Sequence, residues 1–344
     1  MSALVQALGS AVPEHVYKQA EIVDDFFARR DGWDPDYAEL FRASGVERRA
    51  AVVDVHEFYA TGRSTADRME AFAPAARRLG AAAARRALDR AGPGAAATVD
   101  ELIVVSCTGY AGPGLDVHLA ADLDLRPDLA RLAFGHMGCY AALPALRTAA
   151  ALAAGGRRVL VACVELCSLH LQPIASREDA VTSSLFADGA AAALVGPEGP
   201  GLAVVAARTA TLPASEGRMG WSIGDQGFRM TLSPRVPVLV ERSLAGLVHG
   251  LLEGEGLAVD EVAHWAVHPG GPEILERVQR RLGLADEQLA RSWEVLADGG
   301  NRSSATVLFI LDALVASGEL APGQWIVMLA FGTGLTMEAL LLQA

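Results

Sequence analysis

Val259-Asp260-Glu261-Val262-Ala263-His264-Trp265-Ala266-Val267-His268 echoes an earlier passage of the same chain, Val99-Asp100-Glu101-Leu102-Ile103-Val104-Val105-Ser106-Cys107. Each opens on Val-Asp-Glu, follows a stretch rich in Ala and Leu, and runs into apolar residues. The run Leu102–Ser106 predicts a strand buried on both faces. Gly138-Cys139-Tyr140 then precedes a helical pattern from Ala141 to Leu152, and Gly300-Asn301-Arg302 precedes one from Ser303 to Val315. Each pattern leads into another apolar run, Val159–Cys163 and Trp325–Leu329. Two copies are too few for a solenoid. They predict two similar αβ halves that bring strand ends and helix starts to a shared centre.

Working outward, helical and strand-like patterns alternate along all 344 residues, which argues for an α/β fold. Residues 75–92 predict a helix opened after Pro74 and stopped at Gly92. The segment Gly196-Pro197-Glu198-Gly199-Pro200-Gly201 is the best candidate boundary. It divides a first half, 1–200, from a second, 201–344. A formal charge of -12 disfavours a nucleic-acid surface, which needs a clustered basic face. Lys18 is the only lysine, and its setting fits neither a Schiff base nor a phosphate loop. Cys107, Cys139, Cys163 and Cys167 include no CxxC pair, and no His cluster stands at zinc spacing, so no metal site is expected. No basic, apolar leader opens the chain and no apolar run is long enough to span a membrane, so a cytoplasmic protein with reduced thiols is expected.

The echo places Cys139, His268 and Asn301 at corresponding junctions. At a helix N-terminus Cys139 should ionise more readily than a free thiol, and a nearby imidazole would help. His268 ends a strand and is aimed by Pro269-Gly270-Gly271. Asn301 offers a donor that does not titrate. Taken singly, each has a plainer reading: a core thiol, a hydrogen-bonded structural histidine, a turn asparagine.

Taken with their neighbours they carry a resemblance. His268-Pro269-Gly270-Gly271-Pro272 and Gly300-Asn301-Arg302-Ser303-Ser304-Ala305 resemble signature segments of the type III polyketide synthases, the chalcone synthase family. Gly138-Cys139-Tyr140-Ala141-Ala142, Leu185-Phe186-Ala187-Asp188-Gly189, Leu212-Pro213-Ala214-Ser215-Glu216 and Gly332-Thr333-Gly334-Leu335-Thr336 match in the same order. The resemblance implies a thiolase-like five-layer αβαβα fold of duplicated halves, and a homodimer. It implies that Cys139 carries the acyl chain while His268 and Asn301 stabilise the enolate left when malonyl-CoA loses CO2. Acyl-CoA and malonyl-CoA are then substrates, with no cofactor, metal or obligatory acyl carrier protein, and the product is a pyrone, resorcinol or related aromatic compound.

Ungapped matching around these segments implies a cavity lined by Cys107, Thr108, Cys167, His170, Trp221 and Ser303. It sets two gatekeeper positions on Leu202 and Met230, although a two-residue shift would put Phe228 at the second. Aliphatic side chains there favour a flexible starter over a flat one. Arg42, Arg48 and Arg49, with Gly270, fall where the family meets the CoA moiety. Thr333 and Arg302 stand where Pro and Met are usual, and Gly112 where a Met crosses the dimer interface in plant members. The competing reading is a β-ketoacyl-acyl-carrier-protein synthase III, which condenses once; its carrier docks on a basic surface, against which the net charge argues. A non-catalytic thiolase-fold partner would be expected to lack one of the three residues. A hydroxymethylglutaryl synthase would want a catalytic Glu motif.

Overall fold

The computed structural model describes residues 3–30 and 32–344. Its strands are β1 (Ala3–Ala11), β2 (His15–Lys18), β3 (Arg48–Ala51), β4 (Glu101–Val105), β5 (Ala130–Phe134), β6 (Val159–Leu166) and β7 (Asp188–Gly196). They continue with β8 (Leu202–Thr211), β9 (Met219–Gly224), β10 (Gly227–Leu232), β11 (Val262–Val267), β12 (Trp325–Gly332) and β13 (Thr336–Gln343). The helices are α1 (Gln19–Asp25), α2 (Tyr37–Arg42), α3 (Val55–Phe58), α4 (Thr65–Ala91), α5 (Leu115–Asp122) and α6 (Ala142–Ala154). After them come α7 (Arg177–Leu185), α8 (Val236–Leu252), α9 (Pro272–Leu282), α10 (Asp286–Gly299) and α11 (Thr306–Ser317).

Nine strands hydrogen-bond in the order β11-β12-β13-β8-β1-β7-β6-β4-β5. Outward from β1 the pairings run antiparallel to β7, antiparallel to β6 and parallel to β4. Outward from β8 they run antiparallel to β13, antiparallel to β12 and parallel to β11. The two Val-Asp-Glu passages thus end in strands at matching places, β4 and β11. Strand β5, parallel to β4, extends one flank to an exposed edge.

Alternate strand residues face different layers, as a period of two requires. Leu160, Ala162 and Val164 pack with the Ala-rich face of α4, while Val159, Val161 and Cys163 pack with α6 and α11. In the second half Ile326 and Met328 join α6 and α11, and Val327 and Leu329 join α8, α9 and α10. The layers are therefore α4 with α5, sheet, α6 with α11, sheet, and α8 to α10, the expected thiolase-like arrangement. Small residues make the first contact close: a Cβ on Gly9 of β1 would come within 2.4 Å of the Ala83 carbonyl oxygen on α4.

One boundary differs from the sequence reading. Helix α4 begins at Thr65, not after Pro74, and carries Pro74 inside it. Ser64 and Asp67 form a reciprocal capping box that satisfies the first amides, so nucleation precedes the proline. Gly92, at φ +106°, ends the helix as expected.

Candidate active site

Cys139 lies in the single turn Gly138–Tyr140 that precedes α6. Gly138 makes that turn with φ +75°. The turn is pressed from the other half: a Cβ on Gly332, at the end of β12, would lie 2.5 Å from the Tyr140 ring and 3.3 Å from the Cys139 amide. Thr333 Oγ1 donates to the Met137 carbonyl at 3.1 Å.

His268 follows β11 and is tied to it by its amide, which donates to the Leu329 carbonyl at 2.8 Å. It is 1% exposed, and neither ring nitrogen has a partner among the described residues. A buried imidazole without partners is costly unless something else supplies them. Asn301 is clamped through its backbone: its amide donates to Leu185 O at 2.8 Å, and its carbonyl accepts from Ala187 N at 2.9 Å. Its Oδ1 accepts from the Ser303 amide at 2.8 Å, which fixes the carboxamide orientation and leaves the NH2 to face the thiol. Ser303 itself holds φ +47°, an uncommon conformation for a serine.

Two cavities meet at Cys139. One, of about 480 Å³, also reaches His268, Asn301 and Gly270. The other, of about 110 Å³, is lined by Cys107, Thr108, Cys167 and His170, and by Trp221, Met230 and Ser303. Phe186, Met219 and Met230 belong to both walls and separate the spaces. His170 fills the smaller cavity rigidly. Its Nε2 donates to Thr108 O at 2.7 Å, its Nδ1 accepts from Phe228 N at 3.1 Å, and its ring stacks on Phe228 at 4.2 Å. Burial pushes this imidazole down to about 4, so it is neutral near pH 7.

Leu202 lies in neither cavity. It begins β8, pairs with Val5 and packs in the core around α6 and α11. Phe186, within the quoted Leu185–Gly189 segment, lines both cavities instead, and its place in that segment was the available signal. Met230 does line both spaces, and Phe228 lines the smaller one. Of the expected CoA-side residues, Gly270 reaches the larger cavity. Arg49 does not: it is buried over Phe27 and Phe41, donates to the Ser183 and Phe186 carbonyls, and is pushed down to about 9 by burial. Arg42 and Arg48 are exposed and engaged by Glu39 and Asp298. Arg177 lines the larger cavity instead. Arg302 turns away from the site and lies 4.2 Å over the Phe309 ring.

Protonation also departs from expectation. Burial pushes the Cys139 thiol up to about 12, with the side chains of Ser303 and Asn301 pulling the other way, and it pushes His268 down to about 3. Burial opposes charge on both groups, and α6 begins only at Ala142, after the single turn that holds the thiol.

Sequence reading missed Glu165. It sits in β6 with no exposure, a carboxylate within an apolar run. It accepts from Ser304 Oγ at 2.5 Å, Thr108 Oγ1 at 2.9 Å and Cys107 N at 3.1 Å, and burial raises its pKa above the usual carboxylate range. It links Cys107 and Thr108, which line the smaller cavity, to Ser304 in the turn before α11.

The sequence matches the family model described as chalcone and stilbene synthases, N-terminal domain, over residues 1–199, and the corresponding C-terminal domain over 203–344. It is 34% identical over 350 residues to the 1,3,6,8-tetrahydroxynaphthalene synthase of Streptomyces peucetius subsp. caesius, covering 98% of this chain and 92% of that one. It is 32% identical over 362 residues to an alpha-pyrone synthesis polyketide synthase-like protein of Mycobacterium tuberculosis, covering 98% and 90%. The structure is similar to a crystal structure of PKS-I from the brown alga Ectocarpus siliculosus, with TM-score 0.93, 29% identity and coverage of 99% and 98%.

Proposed function

The chain belongs to the chalcone and stilbene synthase family and is a type III polyketide synthase, an acyltransferase-class condensing enzyme rather than a single-condensation β-ketoacyl synthase; on that premise we propose that it extends a starter acyl-CoA with malonyl-CoA units on Cys139 and closes the chain to a pyrone, resorcinol or related aromatic product. The observation that carries this reading is the pair of unpartnered His268 ring nitrogens in the cavity wall that also holds Asn301 and Cys139.

In this mechanism Cys139 Sγ attacks the starter thioester as its proton passes to His268 Nε2. The C–S bond to CoA breaks, CoA leaves as a thiolate that takes a proton from solvent, and His268 keeps the proton on Nε2. Malonyl-CoA then enters the larger cavity and loses CO2. Negative charge moves onto its thioester oxygen, where the His268 N–H and the Asn301 NH2 donate. The enolate carbon attacks the Cys139 thioester, the acyl C–S bond to Cys139 breaks with its sulfur leaving as a thiolate beside protonated His268, and the chain, longer by two carbons, is now on CoA. Transfer back to the thiol repeats the cycle, and the smaller cavity takes the growing end.

We read the chain as two halves, 1–200 carrying the nucleophile and 201–344 carrying the two donors. We further read it as a cytoplasmic homodimer that uses CoA thioesters without a retained cofactor or an obligatory carrier protein. No helix among the described residues is long and apolar enough to cross a membrane. The exposed Leu132 on edge strand β5 supports the dimer.

The test is incubation of the purified protein with malonyl-CoA and a panel of short to long acyl-CoA esters, read by mass spectrometry. CO2 release and polyketide products are expected, with loss of all chain extension in Cys139→Ala. Unchanged products from that variant would refute the assignment.

A further inference from the structure

A recess outside both catalytic cavities is lined by three arginines. Arg218, Arg235 and Arg242 meet there with Ser215, Val238 and Leu239 around a space of about 410 Å³. Positions 235, 238, 239 and 242 share one face of α8 and its first turn, and Arg218 faces them from the segment before β9. Among the described residues none of the three guanidinium groups enters an ion pair or a side-chain hydrogen bond, and no acidic residue lines the recess. Several other arginines of this acidic chain find carboxylates: Arg77 with Asp122, Arg126 with Asp100 and Asp128, Arg277 and Arg280 with Glu241. Guanidinium groups without carboxylate partners are free to receive an anion with several oxygens, and their forks match phosphate oxygens in pairs.

We propose that this recess is a phosphate-binding site, distinct from the thioester-bearing cavity and taking a diphosphate or similarly polyanionic group. Its position gives it two connections. The turn that contributes Arg235 here contributes Ser233, Pro234, Val236 and Pro237 to the larger catalytic cavity, so one turn divides the two spaces. The floor is tied from the other side to the loop that borders the smaller cavity. Ser215 Oγ accepts from the Leu335 amide at 2.7 Å and donates to the Leu212 carbonyl at 2.6 Å, while Thr333 of the same loop lines the smaller cavity beside Cys139. A concave space lined by three arginines and no acidic residue suits a small anion better than a broad acidic protein surface.

The phosphates have two sources: the nucleotide end of a CoA ester reaching round the turn, an arm that rests on the synthase reading above, or a free phosphorylated metabolite. Thermal unfolding of the whole protein is followed while pyrophosphate is titrated at constant ionic strength, for the native chain and for Arg218→Gln, Arg235→Gln and Arg242→Gln. A saturable rise in Tm is expected for the native chain. In each variant the half-saturating concentration should rise by at least about tenfold, the effect of losing one charge-assisted hydrogen bond. Arg242→Lys should be intermediate, since it keeps the charge and loses the fork. This arm reads binding whether or not any polyketide forms. In the second arm KM is compared for malonyl-CoA and for malonyl-N-acetylcysteamine, which lacks the nucleotide. A KM increase in the variants for malonyl-CoA alone, with pyrophosphate competing against it, assigns the site to the CoA tail. Unchanged KM values with pyrophosphate still binding in saturating CoA assign it to a separate anion. No saturable Tm rise, or the same midpoint in all three variants, overturns the proposal.

Discussion

Asn301 offers its NH2 to the site because the Ser303 amide already holds its Oδ1. Replacing it by alanine removes one of two donors, so kcat for malonyl-CoA decarboxylation should fall about a hundred- to a thousandfold. Loading of Cys139 by a starter acyl-CoA, read by intact-protein mass spectrometry, should persist. His170 gives a pH effect of defined sign. Its folded-state pKa of about 4 lies below the ordinary value of about 6.5, so the stability it contributes is present above about pH 6.5 and is lost as pH falls through about 4. His170→Gln should therefore be more destabilising at pH 7 than at pH 4.5 in urea unfolding; an equal penalty at both would contradict it. At this scale the meeting of Cys139, His268 and Asn301 in one cavity wall was legible because each residue stands in a distinctive local segment. Leu202 was misplaced because residue counting through the Gly-Pro loop cannot see where a strand pairs. The thiol's protonation was misjudged because its depth below solvent is set by residues from both halves, as Gly332 against the Tyr140 ring shows.

Elements explain why the turn before α6 is so exacting. A Cβ on Gly138 would lie 3.3 Å from Thr333 Cγ2 and 3.4 Å from the Trp221 ring, at a backbone angle that costs an L-residue about 1–2 kcal/mol. Gly138→Ala should lower unfolding free energy by about that amount. It should lower kcat by more than the stability loss accounts for, up to about a hundredfold, because displacing a nucleophile by about 1 Å has that effect. Circular dichroism melts and product formation at a temperature where the variant is fully folded separate the two effects. The strands and inner helices were legible from the Val-Asp-Glu echo and from apolar runs. The start of α4 was not, because a capping box that opens at Ser64, ten residues upstream, outweighed the proline that marks a helix boundary in most contexts. Glu165 escaped notice because an acid in an apolar strand gains meaning only when Ser304, Thr108 and the Cys107 amide converge on it.

At the scale of the molecule, the sheet stops at β5, whose outer face leaves Leu132 38% exposed, near the exposed Val117 of α5. Self-pairing of this edge in a two-fold dimer would set each Leu132 close to its copy. Leu132→Glu should then shift sedimentation from dimer to monomer by like-charge repulsion, with a native far-ultraviolet spectrum; a dimer of unchanged affinity would exclude this edge. The fold class was legible because duplication repeats at the length of a whole αβ unit, whereas the arrangement of the two cavities was not, since their dividing wall draws on residues as distant as Phe186, Met219 and Met230. That wall has an evolutionary cost. On the proposed mechanism, a substitution in Phe186, Met219 or Met230 that widens the larger cavity for a bulkier primer also reshapes the smaller one that takes the growing chain, so the choice of beginning and the point of ending shift together. Variants selected for new primers should inherit altered product lengths as an unselected by-product.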